Sequence, residues 1–118
     1  MKLLKLEKMI TWIYGQTKSG KTTFSESLGG VYKNHIRLDG DETRTIWTDL
    51  KFSREDRYEQ NLRVARLAKI LDEQGFDVLV STICPYKDLR KKVKQITNCK
   101  FIYIEGGKEG SEYPFEEK

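Results

Sequence analysis

The sequence predicts an α/β protein, in which a short parallel β-sheet carries helices on both of its faces. Short apolar runs alternate with segments of helical periodicity along the 118 residues. The first run, Met9–Tyr14, is typical of a buried parallel strand and leads into a loop rich in glycine and lysine. Because parallel strands need crossover connections, strands that alternate with helices indicate a parallel sheet covered on both sides.

Each later element has a boundary signal of its own. Gly29 and Gly30 end the first helix, Gly75 ends the longest one, and Ser53 with Asp56 resembles a capping box at its start. Strands are predicted at Ile36–Leu38, Phe76–Ile83 and Lys100–Ile104. Helices are predicted at Lys21–Leu28, Glu42–Trp47, Ser53 to the residue before Gly75, and Tyr86–Ile96. Helical spacing predicts a buried face for the longest helix, made of Tyr58, Leu62, Ala65, Ala68 and Leu71.

Length and composition favour one soluble domain. The 37% hydrophobic and 34% charged residues suit a globular protein with a single core. We therefore expect one domain over residues 1–118, with a loosely structured tail at 105–118 because that segment lacks periodicity. Charges within Met1–Ile10 interrupt any signal-peptide core, and no apolar run could cross a bilayer. We expect a cytoplasmic protein without a membrane partner.

Charge and cysteine content add weaker constraints. The net charge of +4 suits a polyanionic ligand but does not by itself indicate nucleic acid. Cys84 and Cys99 match no metal or redox spacing, so we expect two reduced thiols, at least one of them packed as a small apolar residue.

The segment Gly15–Thr22 carries the most specific motif in the chain. Its sequence, GQTKSGKT, fits the phosphate-loop pattern G-x-x-x-x-G-K-[ST] and lies between a predicted strand and a predicted helix. Glycines let backbone N–H groups approach phosphates closely, and the helix N-terminus adds partial positive charge. We expect Lys21 to reach the β- and γ-phosphates of ATP and Thr22 to bind Mg²⁺. The predicted ATP-binding residues are Gly15, Gln16, Thr17, Lys18, Ser19, Gly20, Lys21, Thr22 and Thr23.

A pair of carboxylates follows the second predicted strand. Asp39 and Asp41 lie at its carboxyl end, which is the ligand-binding edge of an open parallel sheet. There they could hold Mg²⁺ through water and orient an attacking hydroxyl, as phosphoryl transfer requires. The alternative interpretation is structural, because Asp-Gly is common in turns and aspartate caps helices.

Cationic and aromatic side chains near this edge indicate an anionic acceptor. Arg44 follows Asp41 by about one helical turn, and Arg57 and Asn61 share a face of the longest helix. Arginines that converge on the phosphate edge could clamp an anion bidentately, although each taken singly could also be a solvated surface residue. Phe52 could stack on a base or pack in the core.

The phosphate loop is the first of four segments whose order and spacing are specific together: Gly15–Thr23, Leu38–Arg44, Phe52–Asn61 and Ser81–Tyr86. In this combination, over about Thr11 to Ile104, they resemble the adenylylsulfate kinase family. The resemblance implies a P-loop kinase-like three-layer sandwich with about four strands in the order 2-3-1-4. It also implies transfer of the γ-phosphate of Mg-ATP to the 3′-hydroxyl of adenylyl sulfate, a step of sulfate assimilation.

The same resemblance implies residue roles by matching position. Lys21 and Asp41 would be catalytic with Asp39 in support, and Thr22 and Asp41 would bind the metal. The implied acceptor-binding residues are Asp41, Arg44, Phe52, Arg57, Asn61, Ile83, Pro85 and Tyr86. Phe52 would stack on the acceptor adenine, and transfer would be in line without a covalent enzyme intermediate.

The chain departs from the family pattern in its loop and after its last strand. Lys18 replaces a glycine, and Cys84 stands where serine is frequent. The family continues with a basic lid helix and a lid loop, whereas here Glu105–Gly110 leads directly to Ser111–Glu116. The resemblance therefore implies a deleted lid, with weaker nucleotide binding and slow transfer or some ATP hydrolysis. A partner chain, such as the second copy of a homodimer, is one alternative source of the missing parts.

Two alternatives stay open at this point. The first is a P-loop kinase for another small-molecule or nucleotide acceptor. A polynucleotide acceptor belongs here, because the predicted helix over Tyr86–Ile96 could follow a phosphate backbone with Lys87, Arg90, Lys91, Lys92 and Lys94. A solvated face is the simpler interpretation of that charge, so we expect a small-molecule acceptor and no nucleic-acid partner. The second alternative is a nucleotide-binding module without catalysis.

Overall fold

A computed structural model describes residues 10–16, 19–29, 34–107 and 115–116. Four strands and four helices follow one another along these residues, with two consecutive helices between the second and third strands. The strands are β1 (Ile10–Gly15), β2 (His35–Asp39), β3 (Asp77–Thr82) and β4 (Lys100–Ile104). The helices are α1 (Lys21–Gly29), α2 (Gly40–Arg44), α3 (Arg54–Glu73) and α4 (Lys87–Thr97). The predicted α/β class is confirmed.

The sheet is parallel, and its strand order of β2-β3-β1-β4 confirms the predicted order 2-3-1-4. β1 lies in the middle, with Trp12 opposite Val80 of β3 on one side and Phe101 of β4 on the other. β1 and β3 are therefore interior strands, which explains their continuous apolar sequence. All four strands end at the same edge, where β1 leads into the phosphate loop and β2 ends at Asp39.

Alternate residues of β1 face opposite layers of a three-layer sandwich. Trp12 belongs to the apolar cluster formed with α3 and α4, which contribute Val64 and Leu89, and none of these three residues is exposed. Ile13 is equally buried but lies outside this cluster, on the opposite face that α1 covers. The predicted buried face of α3 joins the same cluster through Tyr58, Leu62, Ala65, Ala68 and Leu71.

The ends of α3 follow the predicted signals. Ser53 Oγ accepts a hydrogen bond from the backbone N–H of Asp56 at 3.1 Å, so Ser53 is the N-cap. Gly75 follows the helix with a φ of 101°, a left-handed conformation that glycine adopts without steric cost.

Helix α2 begins earlier than predicted. We expected a helix over Glu42–Trp47, whereas it spans Gly40–Arg44. The cause is Asp39, whose Oδ1 accepts a hydrogen bond from the backbone N–H of Asp41 at 3.1 Å and caps the helix. This cap fixes the carboxyl end of β2 at the edge of the sheet.

The tail differs from the prediction where it is described. The ring of Phe115 stacks 6.2 Å from that of Tyr14 and 5.7 Å from that of Tyr103. The backbone N–H of Glu116 donates to the carbonyl of Pro85 at 2.7 Å. These contacts hold the two residues against the sheet, in contrast to the loose structure predicted for 105–118. Residues 108–114 and 117–118 lie outside the described residues, and the single domain over 1–118 stays a prediction.

A further prediction concerns the two cysteines. Cys84 and Cys99 are buried free cysteines, as predicted.

Among the described residues, no helix combines the length and the apolar character that crossing a membrane requires.

Candidate active site

A cavity of about 710 Å³ opens at the carboxyl edge of the sheet. Its walls come from the phosphate loop with α1, the β2–α2 junction, α3, and the corner after β3. Most of the predicted site residues line it: Gln16, Gly20, Lys21, Thr22, Thr23, Asp39, Asp41, Arg44, Phe52, Arg57, Asn61, Ile83 and Pro85. Residues far apart in the sequence thus meet at one site, because parallel strands end at a common edge.

Some predicted site residues lie elsewhere. Gly15 packs against β4 so closely that a Cβ there would come within 2.4 Å of the Ile104 carbonyl oxygen. Tyr86 is buried against α3, with its ring stacked 5.3 Å from that of Tyr58, and does not line the cavity. Ser19 does not line the cavity, and its hydroxyl is 3.5 Å from the Lys21 amino group. Thr17 and Lys18 lie outside the described residues.

Lys21 is held over the phosphate loop. Its Nζ donates a hydrogen bond to the carbonyl of Gln16 at 2.7 Å. Burial lowers the pKa of Lys21, and the charges of Asp41 and Asp39 oppose that shift. The amino group therefore lies at the phosphate loop, where the charges of both carboxylates act on it and where it can bind a phosphate oxygen.

Asp39 connects the phosphate loop to the end of β2. Its Oδ2 accepts a hydrogen bond from the Thr22 hydroxyl at 3.0 Å, while its Oδ1 caps α2. The capping and functional interpretations of Asp39 are therefore compatible, since its two oxygens serve different partners. Asp41, the second residue of α2, is exposed and also lines the cavity.

This oxygen set suits Mg²⁺ better than a transition metal. The described residues contain no group of three or more His, Cys, Asp or Glu side chains that could hold a metal ion. Mg²⁺ commonly binds through one or two protein oxygens together with water and substrate phosphates. A hydroxyl from Thr22 and carboxylates from Asp39 and Asp41 match that requirement.

Two arginines that line the cavity lie close to the ring of Phe52. The guanidinium of Arg44 lies 4.4 Å from the centre of the Phe52 ring, and that of Arg57 lies 5.9 Å from it. Both are oriented by backbone carbonyls, with Arg44 donating to Lys51 at 2.9 Å and Arg57 to Phe52 at 2.8 Å. Burial lowers the pKa of Arg44, and the like charge of Arg57 lowers it further. An anion bound between them would relieve this repulsion.

Phe52 is available for stacking. Its side chain is 66% exposed although it is aromatic, and it borders the cavity. A large exposed aromatic ring near two cations is suited to an aromatic ligand that carries negative charge. This favours the base-stacking interpretation of Phe52 over packing in the core.

Asn61 is part of a buried hydrogen-bond chain. Trp12 Nε1 donates to the Thr82 hydroxyl at 3.0 Å, and that hydroxyl donates to Asn61 Oδ1 at 2.8 Å. Asn61 Nδ2 donates to the carbonyl of Arg57 at 2.9 Å. These hydrogen bonds fix the orientation of the Asn61 amide and connect α3 to the middle of the sheet.

The cavity also has lining residues that the sequence analysis did not single out, namely Gly40, Gln60, Ser81 and Thr82. Gln60 is 5% exposed, and its Nε2 donates to the Gly40 carbonyl at 3.0 Å. It lies three residues after Arg57, so helical spacing could have indicated it. Thr82 lies within the Ser81–Tyr86 segment of the family resemblance, but as the last residue of an apolar strand it did not by itself indicate a site role.

Helix α4 does not present one continuous basic face. Arg90 is 6% exposed, and its Nη1 donates to the Cys84 carbonyl at 2.6 Å. The Nζ of Lys94 donates to the Cys99 carbonyl, and Lys92 lies 5.6 Å from the Tyr58 ring. Arg90 therefore does not belong to a basic surface that could follow a phosphate backbone, because it is buried within the fold.

The strand order, the phosphate loop and the cavity at the carboxyl edge define a P-loop kinase fold. Residues 7–107 match the family model described as adenylylsulphate kinase. The chain belongs to the adenylylsulphate kinase family.

Three relatives illustrate this membership. The chain is 39% identical over 107 residues to a cytidine diphosphoramidate kinase of Campylobacter jejuni, covering 86% of the chain and 63% of that protein. It is 36% identical over 93 residues to an adenylyl-sulfate kinase of Buchnera aphidicola, covering 75% of the chain and 44% of that protein. The structure of a Mycobacterium tuberculosis APS kinase in complex with AMPPNP and APS superposes with a TM-score of 0.68 at 30% identity, covering 80% of the chain and 59% of that structure. The chain thus spans less than two thirds of these relatives' lengths.

Proposed function

We propose that the chain transfers the γ-phosphate of ATP to the 3′-hydroxyl of adenylyl sulfate. The observation that carries this proposal is the cavity, because Lys21, Thr22 and Asp39 line one wall and the Arg44–Phe52–Arg57 group lines another. One wall suits a nucleoside triphosphate, and the other suits an aromatic, anionic acceptor.

Each residue contributes in a definite way. Lys21 binds the β- and γ-phosphates and offsets charge that develops during transfer. Asp41 accepts a hydrogen bond from the attacking hydroxyl and orients it for in-line displacement. Thr22 and Asp39 would hold Mg²⁺, which when bound supplies positive charge between the phosphates. Phe52 stacks on the acceptor base while Arg44 and Arg57 bind its anionic groups.

A second candidate is phosphorylation of cytidine diphosphoramidate. The relative with 39% identity bears that name, and the match covers most of the chain. The Phe52 ring would stack on cytosine as well as adenine, since every base has a π-face. The two acceptors share an anionic group attached to a nucleoside, so Arg44 and Arg57 suit both.

The decisive experiment offers both acceptors separately to the purified chain with Mg-ATP and follows each phosphorylated product by chromatography. We expect 3′-phosphoadenylyl sulfate and ADP to appear together. Lys21→Ala should lower kcat/KM by at least about a hundredfold, because it removes a charge that acts on the transferring phosphate. Lys69→Ala, which removes an exposed lysine whose ion-pair partner is Glu73, is the matched control and should retain activity.

Other outcomes would redirect the proposal. Product from cytidine diphosphoramidate alone would favour the second candidate. ADP without a phosphorylated acceptor would mean that water competes at the open site. Nucleotide binding with neither product would contradict catalysis and favour a binding module. The soluble cytoplasmic location and the homodimer stay predictions.

A further inference from the structure

The corner after β3 forms one wall of the acceptor side of the cavity. Ile83 and Pro85 line the cavity, and Cys84 between them is buried. Cys84 has a φ of 45°, a left-handed conformation that is uncommon for residues other than glycine. Such a corner keeps its shape only if its surroundings hold it.

The start of α4 does not stabilise this corner by a cap of its own. Tyr86 occupies the N-cap position but makes no side-chain cap hydrogen bond. The first N–H groups of a helix lack partners within the helix and need acceptors from elsewhere.

Glu116 supplies the missing acceptor from a distant part of the chain. Its Oε1 accepts a hydrogen bond from the backbone N–H of Lys87 at 2.7 Å, and its own backbone N–H donates to the Pro85 carbonyl at 2.7 Å. Its carbonyl accepts from Nη2 of Arg90, whose Nη1 donates to the Cys84 carbonyl. The backbone groups of Cys84, Pro85 and Lys87 are thus hydrogen-bonded to Glu116 or to Arg90.

Phe115 fixes Glu116 in this place. Its ring stacks on Tyr14 and Tyr103, and the Arg90 guanidinium lies 5.5 Å from it. Glu116 itself does not line the cavity. Its effect on a ligand must therefore be indirect.

We propose that Glu116 is a positioning residue, which caps α4 from outside and thereby holds the Ile83–Pro85 wall against the acceptor. The proposal rests on the proposed function, because it assigns that wall to the acceptor and the phosphate loop to ATP. Loss of the cap should loosen the acceptor wall and leave the ATP wall intact.

The test compares Glu116→Ala with Glu116→Gln, which keeps the Oε1 acceptor for the Lys87 amide. We expect Glu116→Ala to raise the acceptor KM about fivefold while the ATP KM stays within about twofold, on the scale of a lost helix cap. Hydrogen exchange at the Lys87 amide should accelerate by a similar factor in Glu116→Ala. Glu116→Gln should restore both quantities, and Glu73→Ala, an exposed site remote from the cavity, should change neither.

Equal changes in both KM values, or none, would overturn the proposal. If the intact chain phosphorylates no acceptor, the proposed function fails separately. The Kd values for adenylyl sulfate and for ATP, measured by calorimetry, then replace the KM values. Unchanged Lys87 exchange together with unchanged Kd for adenylyl sulfate would exclude a positioning role for Glu116.

Discussion

At the scale of single residues, the cavity is lined by both carboxylates and cations. The charges of Asp39 and Asp41 act on Lys21, while the guanidinium groups of Arg44 and Arg57 lie 4.4 Å and 5.9 Å from the centre of the Phe52 ring. Under the proposed function, these cations would bind the anionic groups of the two ligands, and Asp41 would orient the attacking hydroxyl. Two consequences can be measured.

Replacing Arg57 by lysine should weaken acceptor binding. The charge is kept, but the planar fork that bonds an anion bidentately is lost. We expect the acceptor KM to rise about tenfold, with the ATP KM within about twofold, in steady-state assays. Arg66→Lys, on the exposed side of the same helix, is the control. An equal effect of both replacements would remove Arg57 from the acceptor site.

Nucleotide affinity should depend on pH through Lys21. Burial lowers its pKa, so its charge is lost at a lower pH than that of an exposed lysine. ATP affinity, measured by calorimetry, should fall as the pH rises through that value. Asp41→Asn removes a charge that raises the pKa and should move the fall to lower pH. Melting temperatures at each pH would separate this effect from unfolding, and an unshifted profile would contradict the coupling.

At the scale of elements, α3 supplies several of the residues that line the cavity. Arg57, Gln60 and Asn61 lie within its first turns, while Ala65 and Ala68 bury its later turns against the sheet. The position of its N-terminus therefore sets the position of these cavity-lining residues.

Removing the N-cap of α3 should destabilise the protein. Ser53→Ala deletes the acceptor for the Asp56 amide, and a lost cap costs about 1 kcal/mol of unfolding free energy. Urea denaturation would measure the change. Ser27→Ala, at an exposed position within α1, should cost no more than about 0.5 kcal/mol. A cost for Ser53→Ala that matches this control would show that the cap contributes nothing.

At the scale of the whole molecule, sheet and helices enclose polar and reactive groups in one core. The Trp12–Thr82–Asn61 hydrogen-bond chain crosses from β1 through β3 to α3. Cys84 and Cys99 are enclosed on the same side of the sheet, and neither is exposed.

The cysteines should therefore report global unfolding. Burial raises the pKa of both thiols, so the reactive thiolate is scarce at neutral pH, and enclosure also blocks a reagent. We expect no modification of the folded protein by a thiol reagent at pH 7.5 on the order of minutes, and reaction of both thiols in denaturant. Fast reaction of one thiol without denaturant would reveal local opening at that site.

Local patterns in the sequence were sufficient for much of the fold. Strands β1 to β4 and the cap of α3 follow from apolar runs, glycines and Ser53, because these signals act between near neighbours. The start of α2 could not be predicted in the same way, because it depends on which aspartate caps the helix, and the structure shows that Asp39 does. Helical spacing from Arg57 could have indicated Gln60, whereas Thr82 belongs to the Ser81–Tyr86 segment but ends an apolar strand, so its hydrogen bonds to Trp12 and Asn61 had no signal in the sequence.

The sequence by itself determined the phosphate loop, the parallel sheet and most of the residues that line the cavity at its carboxyl edge. Their chemistry is written in short segments, with glycines and Lys21 adjacent in the chain. Only the tertiary structure decided that Tyr86 packs away from the cavity, that Arg90 is buried, and that Glu116 caps α4. These outcomes depend on contacts between residues distant in sequence, whose free energy exists only once the chain has folded.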